Sequence, residues 1–266
     1  MVLKNSLGGD IITTLISHFY NEEYLLPWWL MHHKQIFDHG ILINRGSTDR
    51  SVEMCRIFAP DWEVRTSKVP EFDAEQVDNE VMDIESAVQG WKMTLNTTEF
   101  LCCQNKTSFF NSLNELQKRM YAIRMILMVD PLNNNYSNPR YSVPLVKQRF
   151  HGYFPYDPYP NKNWRLIHNY TNGHYTPGRH SSAYPFELYN LPALVIKFYF
   201  SPWNDQMKKR KLQIAPTLSQ RWSALKTFYG TTLEELESKF IAVAEHTQDL
   251  RENPVYQEVF SQKHGE

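Results

Sequence analysis

The chain has 266 residues, a formal net charge of −1 and 42% hydrophobic residues. This composition is typical of a globular protein with one large α/β domain or two small ones. The near-neutral charge and the lack of a long basic run exclude nucleic acid as an electrostatically favoured partner. The three cysteines, Cys55, Cys102 and Cys103, have no CxxC spacing, so they predict neither a disulfide framework nor a zinc site.

The N-terminal segment, the apolar stretches and the cysteines predict the cellular compartment of the protein. The N-terminal segment lacks the apolar core of a signal peptide, and no apolar stretch approaches the ~20 residues that span a bilayer. Unpaired cysteines fit a reducing compartment. We therefore expect a soluble, cytoplasmic protein without a membrane span. The basic run Lys208–Lys211 is interpreted as the solvated face of a helix.

Predicted strands and helices alternate in the first half of the chain. Strands are predicted at Ile11–Ser17, His39–Ile43, Trp62–Thr66 and Trp91–Leu95. Helices are predicted at Asn21–Ile36 with Asn21 as N-cap, from Thr48 or Asp49 to about Phe58, and at Glu75–Val88. Pro27 marks either the start of the first helix or a kink in it. This βαβαβαβ order predicts a mainly parallel sheet that binds its ligand at the carboxyl ends of the strands.

The second half of the chain has a less regular pattern. Strands are predicted at Met120–Val129, Leu145–Phe154, Trp164–Tyr170 and Leu194–Phe200. Helices are predicted at Gln206–Ile214, Leu218–Tyr229 and Leu233–His246. We expect this half to supply the acceptor side of a cleft.

Three polar segments follow predicted strands of the first half: Ser17–Glu23, Ile43–Ser51 and Trp91–Phe100. An aromatic ring at a strand end can stack on a nucleobase, and Asn or Glu can bond a base edge or a ribose. Each segment by itself is better explained as an ordinary capped turn. Only their combination favours a nucleotide site.

Together, in this order and spacing, the segments resemble the family 2 glycosyltransferases and their relatives. The matching residues are HFYNE (His18–Glu22) running into LLPWWLMHH (Leu25–His33), NRGSTD (Asn44–Asp49) and NTTEF (Asn96–Phe100). The resemblance covers about residues 10–103, and more loosely Arg165–His180 and Lys197–Trp203. It implies a GT-A-like, Rossmann-like α/β fold with helices flanking a mainly parallel sheet. It also implies one domain, 1–266, with a nucleotide-binding half at about 10–103 and an acceptor half with C-terminal helices at about 104–266.

The activity implied by the resemblance is transfer of a sugar from a nucleotide-sugar donor, a UDP-sugar first of all, to a hydroxyl of a glycan or glycoconjugate acceptor. The residues that it implies for the donor are Phe19, Asn21, Glu22, Asn44, Arg45, Asp49, Asp78, Asn96 and Thr98. Glu80, on the same predicted helix as Asp78, would also face the diphosphate or the sugar. An acidic helix start in solvent explains Asp78 and Glu80 equally well.

The chain departs from the family at the DxD motif, whose carboxylates hold Mn²⁺ or Mg²⁺. Asn96 and Thr98 occupy the two aspartate positions, so Glu99 is the metal ligand that the resemblance leaves. A divalent cation therefore remains one expectation. A second is that cations neutralise the departing diphosphate, with Lys197 and Arg179 as first candidates, beside Lys208 and Arg210. A third is a nucleotide- or glycan-binding module without catalysis.

An inverting transfer needs a base beside the acceptor hydroxyl. Carboxylates and histidines of the second half are the candidates: Asp157, Glu187, His168, His174 and His180. The predicted catalytic residues are Asp78, Glu187 and His174. A nucleotidyltransferase is disfavoured, because the acidic Asn21-Glu-Glu23 stands where a Gly-rich phosphate loop would be needed.

Overall fold

The computed structural model describes residues 3–4, 10–133, 136–155 and 164–260. The strands are β1 Leu3–Lys4, β2 Asp10–Ile11, β3 Thr13–Phe19, β4 His39–Asn44, β5 Glu63–Thr66, β6 Trp91–Thr94, β7 Glu99–Cys103, β8 Met120–Val129, β9 His151–Tyr153, β10 Trp164–His168, β11 Glu187–Leu188, β12 Ala193–Phe200 and β13 Gln248–Asp249. The α-helices are α1 Leu26–His33, α2 Ser51–Phe58, α3 Ala74–Ser86, α4 Lys106–Glu115, α5 Asp205–Leu212, α6 Lys226–Tyr229, α7 Leu233–Ala244 and α8 Pro254–Phe260. All strands from β3 onward join one mixed sheet.

The first half of the chain forms the parallel part of this sheet, in the order β6-β3-β4-β5. Alternation of buried strands with helices produces this arrangement, because a helix is the usual crossover between parallel neighbours. The predicted α/β class is therefore confirmed. Strands β3 and β4 end level with each other, since Phe19 pairs with Asn44. The loops after them, and the loop after β6, consequently share one edge.

The first two helices begin later than the sequence predicted. Helix α1 begins at Leu26, with Pro27 in its first turn, and Asn21 is not its N-cap. Asn21 instead has a left-handed backbone with a φ of 51° and bonds the loop after β4. In α2 the cap position is Arg50, and Asp49 accepts from the amide of Ser51. Asp73, which the sequence reading did not single out, caps α3 by accepting from the amides of residues 75 and 76.

Helix α1 fixes the position of β7, a strand that the sequence reading missed. The Trp29 indole donates to the carbonyl of Glu99 at 2.9 Å, and the amide of Leu101 donates to the buried imidazole of His33 at 3.1 Å. Burial lowers the pKa of His33 well below its usual value, so the ring stays neutral and accepts this bond. Trp29 and the two histidines of the WWLMHH segment therefore hold the strand on which Glu99 lies.

The second half pairs around the long strand β8. Strands β10 and β9 lie antiparallel to β8, whereas β11 and β12 lie parallel to it. The strand predicted at Leu145–Phe154 is instead a 3-10 turn at Leu145–Lys147 followed by β9. The helix predicted at Leu218–Tyr229 is a 3-10 segment, Gln220–Leu225, that runs into α6. None of the described helices is both long and apolar enough to cross a bilayer.

Candidate functional site

A cleft of about 430 Å³ lies at the carboxyl edge of the parallel strands. Phe19 at the end of β3, Arg45 after β4 and Asn96 after β6 line one side of it. The other side comes from the loop 177–180, the end of β12, helix α5 and the segment 222–229. Its volume is in the range of small-molecule sites, and its place is the one expected for a ligand of an open α/β sheet.

Positive charge dominates the lining of the cleft. Seven cationic side chains line it: Arg45, Arg165, Arg179, Lys197, Arg210, Lys211 and Lys239. Of the carboxylates that the structure describes, two belong to the same lining, Glu22 and Asp78. Because the protein as a whole is close to neutral, this concentration of cations is local. A cleft with such a field attracts an anionic ligand.

The buried carboxylate of Glu99 lies beneath the cleft floor. Its two oxygens accept from the guanidinium of Arg165 at 2.8 and 2.6 Å, and one also accepts from the amide of Asn96 at 2.9 Å. The ammonium of Lys197 is 3.3 Å away. Burial by itself would raise the pKa of Glu99, but the charges of Arg165 and Lys197 outweigh it and hold that pKa far below its usual value.

This arrangement does not fit Glu99 as a ligand of a divalent cation. A hard cation needs several free oxygen ligands, and both oxygens of Glu99 already accept hydrogen bonds. The positions of the family's aspartates carry Asn96 and Thr98, and the Oδ1 atom of Asn96 accepts from Arg179 at 3.0 Å. Among the described residues, no three His, Cys, Asp or Glu side chains are grouped to hold a metal ion.

Two further ion pairs belong to the cleft. Asp78 accepts from the guanidinium of Arg179 and, at 2.7 Å, from the amide of Gly178. Glu22 accepts from Arg210 through two bonds of 2.5 and 2.6 Å. The two-bond pair of Glu22 with Arg210 is forked, whereas Arg179 donates to a single oxygen of Asp78. The carboxylates therefore orient the guanidinium groups of the cleft, and the Nε atom of Arg179 has no hydrogen-bond partner in the described part of the chain.

Aromatic rings form the outer wall of the cleft. The guanidinium of Arg45 lies 4.6 Å from the ring centroid of Tyr20 and 5.7 Å from that of Phe72. Trp222, Phe228 and Tyr229 come from the segment before α7 and line the same cavity. Planar rings of this kind stack on a nucleobase or on the apolar face of a sugar, because both present a flat surface.

Two histidines also line the cleft. Burial and the neighbouring Arg165 and Lys197 lower the pKa of His180 to about 3, so its ring is neutral at pH 7. Burial likewise lowers the pKa of His18, whose ring nitrogen is 3.0 Å from the hydroxyl of Ser67. Glu80 accepts from that same hydroxyl at 2.6 Å. Burial opposes ionisation of Glu80, but the ring of His18 at 3.3 Å, the hydroxyl of Ser67 and the amide of Lys68 lower its pKa to about 2.

The structure brings ten of the candidate site residues to the cleft. They are Phe19, Glu22, Arg45, Asp78, Asn96, Thr98, Arg179, His180, Lys197 and Arg210. Their common origin is the carboxyl edge of the sheet together with the loop 177–180, β12 and α5. Glu99 lies directly below them and contacts Lys197.

Five predicted residues lie outside the cleft lining. Asn21 and Asp49 brace each other's loops: the Asn21 Oδ1 atom accepts from the amide of Thr48 at 2.7 Å, and Asp49 accepts from the amide of Glu23 at 3.0 Å. Asn44 accepts from the amide of Ser47 within its own turn. These three side chains are hydrogen-bonded to the backbone of the two loops and are not part of the cleft lining.

Glu187 and His174, the other two, lie away from the cleft. Glu187 is exposed and pairs with Lys118 at 2.7 Å, and the ring of His174 packs against Tyr184. Of the remaining base candidates, His168 is buried with Tyr175 and Glu85. Asp157 lies outside the described residues.

The interpretation of Lys208–Lys211 as a solvated face is wrong for half of that run. Arg210 and Lys211 line the cleft, whereas Lys209 is exposed and Lys208 pairs with Glu237. Arg165, Lys211 and Lys239 are cleft cations that the sequence reading missed. The signal available was the spacing of Arg210 and Lys211 from buried Met207, which places them on the inner side of α5.

No family model and no curated protein sequence matched this chain. Among solved structures, S. aureus TarS 1–349 in complex with UDP-GlcNAc is 12% identical, with a TM-score of 0.41 over 87% of this chain and 73% of that chain. Glucosyl-3-phosphoglycerate synthase from Mycobacterium tuberculosis, solved with Mn²⁺, UDP and glucosyl-3-phosphoglycerate, is 12% identical, with a TM-score of 0.32 over 44% of each chain. A 4-diphosphocytidyl-2C-methyl-D-erythritol synthase is 10% identical, with a TM-score of 0.33 over 50% of this chain and 70% of that chain. Similarity at this level assigns neither a family nor an activity to the chain.

Proposed function

We propose that this protein is a glycosyltransferase that takes its sugar from a nucleoside-diphosphate sugar, a UDP-sugar first of all, and passes it to a hydroxyl of a glycan or glycoconjugate. The observation that carries the proposal is the cation-lined cleft with aromatic walls at the carboxyl edge of the parallel strands. Its chemistry matches the donor: rings for the base, and cations for the diphosphate. The segments that resemble family 2 glycosyltransferases converge on the same edge.

In this proposal the cations act on the leaving group. Negative charge builds on the diphosphate as the bond between it and the sugar breaks, and fixed positive groups stabilise that charge. Arg179 and Lys197 face the cleft for this purpose. Asp78 orients Arg179 through their ion pair and is a positioning residue. No step requires a metal ion at Glu99, since Arg165 occupies its oxygens.

The second candidate is a nucleotide-binding module without catalysis. Both carboxylates that line the cleft are engaged in ion pairs with arginines, so neither is free to deprotonate an acceptor hydroxyl. The two candidates predict the same nucleotide binding, and they differ only in turnover.

A sugar-release assay separates these candidates. The protein is incubated with UDP-glucose, UDP-galactose, UDP-N-acetylglucosamine and GDP-mannose, with and without a mixture of glycans, and free nucleoside diphosphate is measured. The transferase predicts release from one donor, increased by glycans, and a loss of at least about tenfold in Arg179→Gln, which removes a charge-assisted contact. Arg56→Gln, in an exposed position on α2, serves as the control and should release nucleotide normally. Nucleotide binding without release would support the binding module and contradict the transferase.

A further inference from the structure

Lys211 differs from the other cations of the cleft in its surroundings. It lies in the last turn of α5, and its ammonium is 4.5 Å from the ring centroid of Tyr199 and 4.1 Å from that of Phe200. Within the described residues, these rings are the direct contacts of its charge, and it meets neither a carboxylate nor a carbonyl acceptor. An ammonium has three donors, and no acceptor among the described residues takes those of Lys211, which lies in the cleft lining.

The neighbouring cations have acceptors of their own. Arg165, Arg179 and Arg210 each pair with a carboxylate. Lys239 donates to the backbone carbonyl of Phe228 at 3.0 Å. Arg45 has no carboxylate either, but it donates to the hydroxyl of Thr217 at 3.1 Å. Among the described residues, Lys211 is therefore the cleft cation whose ammonium has no hydrogen-bond acceptor, whereas the other cations each have at least one.

The charges around Lys211 also favour the binding of an anion. Burial lowers its pKa well below the usual value, and the charges of Arg210, Lys197 and Lys239 lower it further, while Glu22 opposes them. Keeping a half-buried ammonium among like charges is costly unless an anion joins them. An anion bound at this point would therefore be stabilised by several cations at once.

We propose that Lys211, with Lys197 and Arg210 beside it, forms a phosphate-binding site that receives the diphosphate of the donor without a divalent cation. This inference rests on the proposed function for the identity of the ligand. It also explains how the chain dispenses with the aspartates that the resembling family uses. Glu99 organises Arg165 and Lys197 below the site, and Lys211 supplies free donors above it.

The probe for this site is inorganic pyrophosphate, measured by isothermal titration calorimetry in EDTA. The wild-type protein is expected to bind pyrophosphate without added metal. Lys211→Met keeps an apolar stem of similar length but removes the charged ammonium, and it should weaken binding by at least about tenfold, the usual effect of losing a charge-assisted hydrogen bond. Lys209→Met, an exposed position on the same helix, should bind like the wild type, and Lys211→Arg should retain most of the affinity.

Thermal unfolding of the same variants reports on folding. Lys211→Met removes a charge without an acceptor, so its unfolding midpoint should equal or exceed that of the wild type, and lost binding then reports on the site. The proposal is overturned if pyrophosphate does not bind in EDTA, or if Lys211→Met and Lys209→Met bind it equally.

A second pair of titrations identifies the source of the phosphate group. UDP should lose affinity in Lys211→Met to the same extent as pyrophosphate. If the substitution weakens glycerol phosphate but leaves UDP unchanged, the site belongs to an acceptor and the assignment to the donor falls. The sugar-release assay stands apart from these titrations: metal-free, Lys211-dependent binding of UDP without release would contradict the transferase while leaving the phosphate site established.

Discussion

At the residue scale, Glu99 illustrates how the partner of a side chain decides its role. The resemblance made it a candidate metal ligand in the segment Asn96–Phe100, and in the structure it is the first residue of β7. Its partner Arg165 is 66 residues away on β10. The local sequence around either residue does not predict this contact. Because of this ion pair, Glu99 holds the side chains of Arg165 and Lys197 beneath the cleft.

Glu99→Gln should destabilise the protein strongly. The substitution leaves the Arg165 guanidinium buried without its counter-charge, which typically costs about 3–5 kcal/mol of the free energy of unfolding. Glu63→Gln is the matched control, because Glu63 pairs with Arg65 at the surface and such pairs contribute less than about 1 kcal/mol. Urea unfolding of both variants tests this difference. Equal losses in the two would contradict the structural role assigned to Glu99.

At the element scale, the loops after β3 and β4 are held together by their own polar side chains. The resemblance to family 2 glycosyltransferases implied that Asn21, Asn44 and Asp49 would contact the donor. In the structure their oxygens accept from backbone amides of these two loops instead. Spacing along a sequence identifies which residues follow a strand, but it does not tell whether each side chain turns toward the ligand or toward the loop.

Two substitutions at Asn21 distinguish what its side-chain hydrogen bonds and its left-handed backbone conformation each contribute to the free energy of unfolding. Asn21→Gly removes the bonds to residues 48 and 49 but keeps the left-handed φ of 51° accessible. Asn21→Ala removes the same bonds and adds strain of about 1–2 kcal/mol, because a Cβ disfavours that conformation. Thermal or urea unfolding should therefore rank the wild type above the Gly variant and the Gly variant above the Ala variant. An Ala variant as stable as the Gly variant would show that the loop relaxes out of this conformation.

At the scale of the whole molecule, the two halves of the chain were predictable to different degrees. The parallel strands β3 to β6 follow from local alternation of apolar strands and amphipathic helices. The second half pairs strands that are distant in sequence, such as β12 with β7 and β8, and such pairing leaves little local signal. β7 itself was missed because it follows β6 after four loop residues and crosses to β12.

The cleft likewise depends on the whole molecule. Its cations come from positions between Arg45 and Lys239 and from several different elements. Arg45, Arg179, Lys197 and Arg210 were already candidates for the donor site, whereas no local pattern distinguished Arg165, Lys211 and Lys239 from ordinary surface cations. Only the fold brings these seven described residues to one cavity, so the full charge of the cleft could not be predicted.

The measurement that tests the central claim most directly compares UDP with uridine by isothermal titration calorimetry in EDTA. If the cleft is a diphosphate site built from cations, UDP should bind at least about a hundredfold more tightly than uridine, since two or more charge-assisted contacts are added. The advantage should shrink as salt is raised, because salt screens exposed charges of the cleft. Equal affinity for UDP and uridine, or no binding of UDP, would contradict the account.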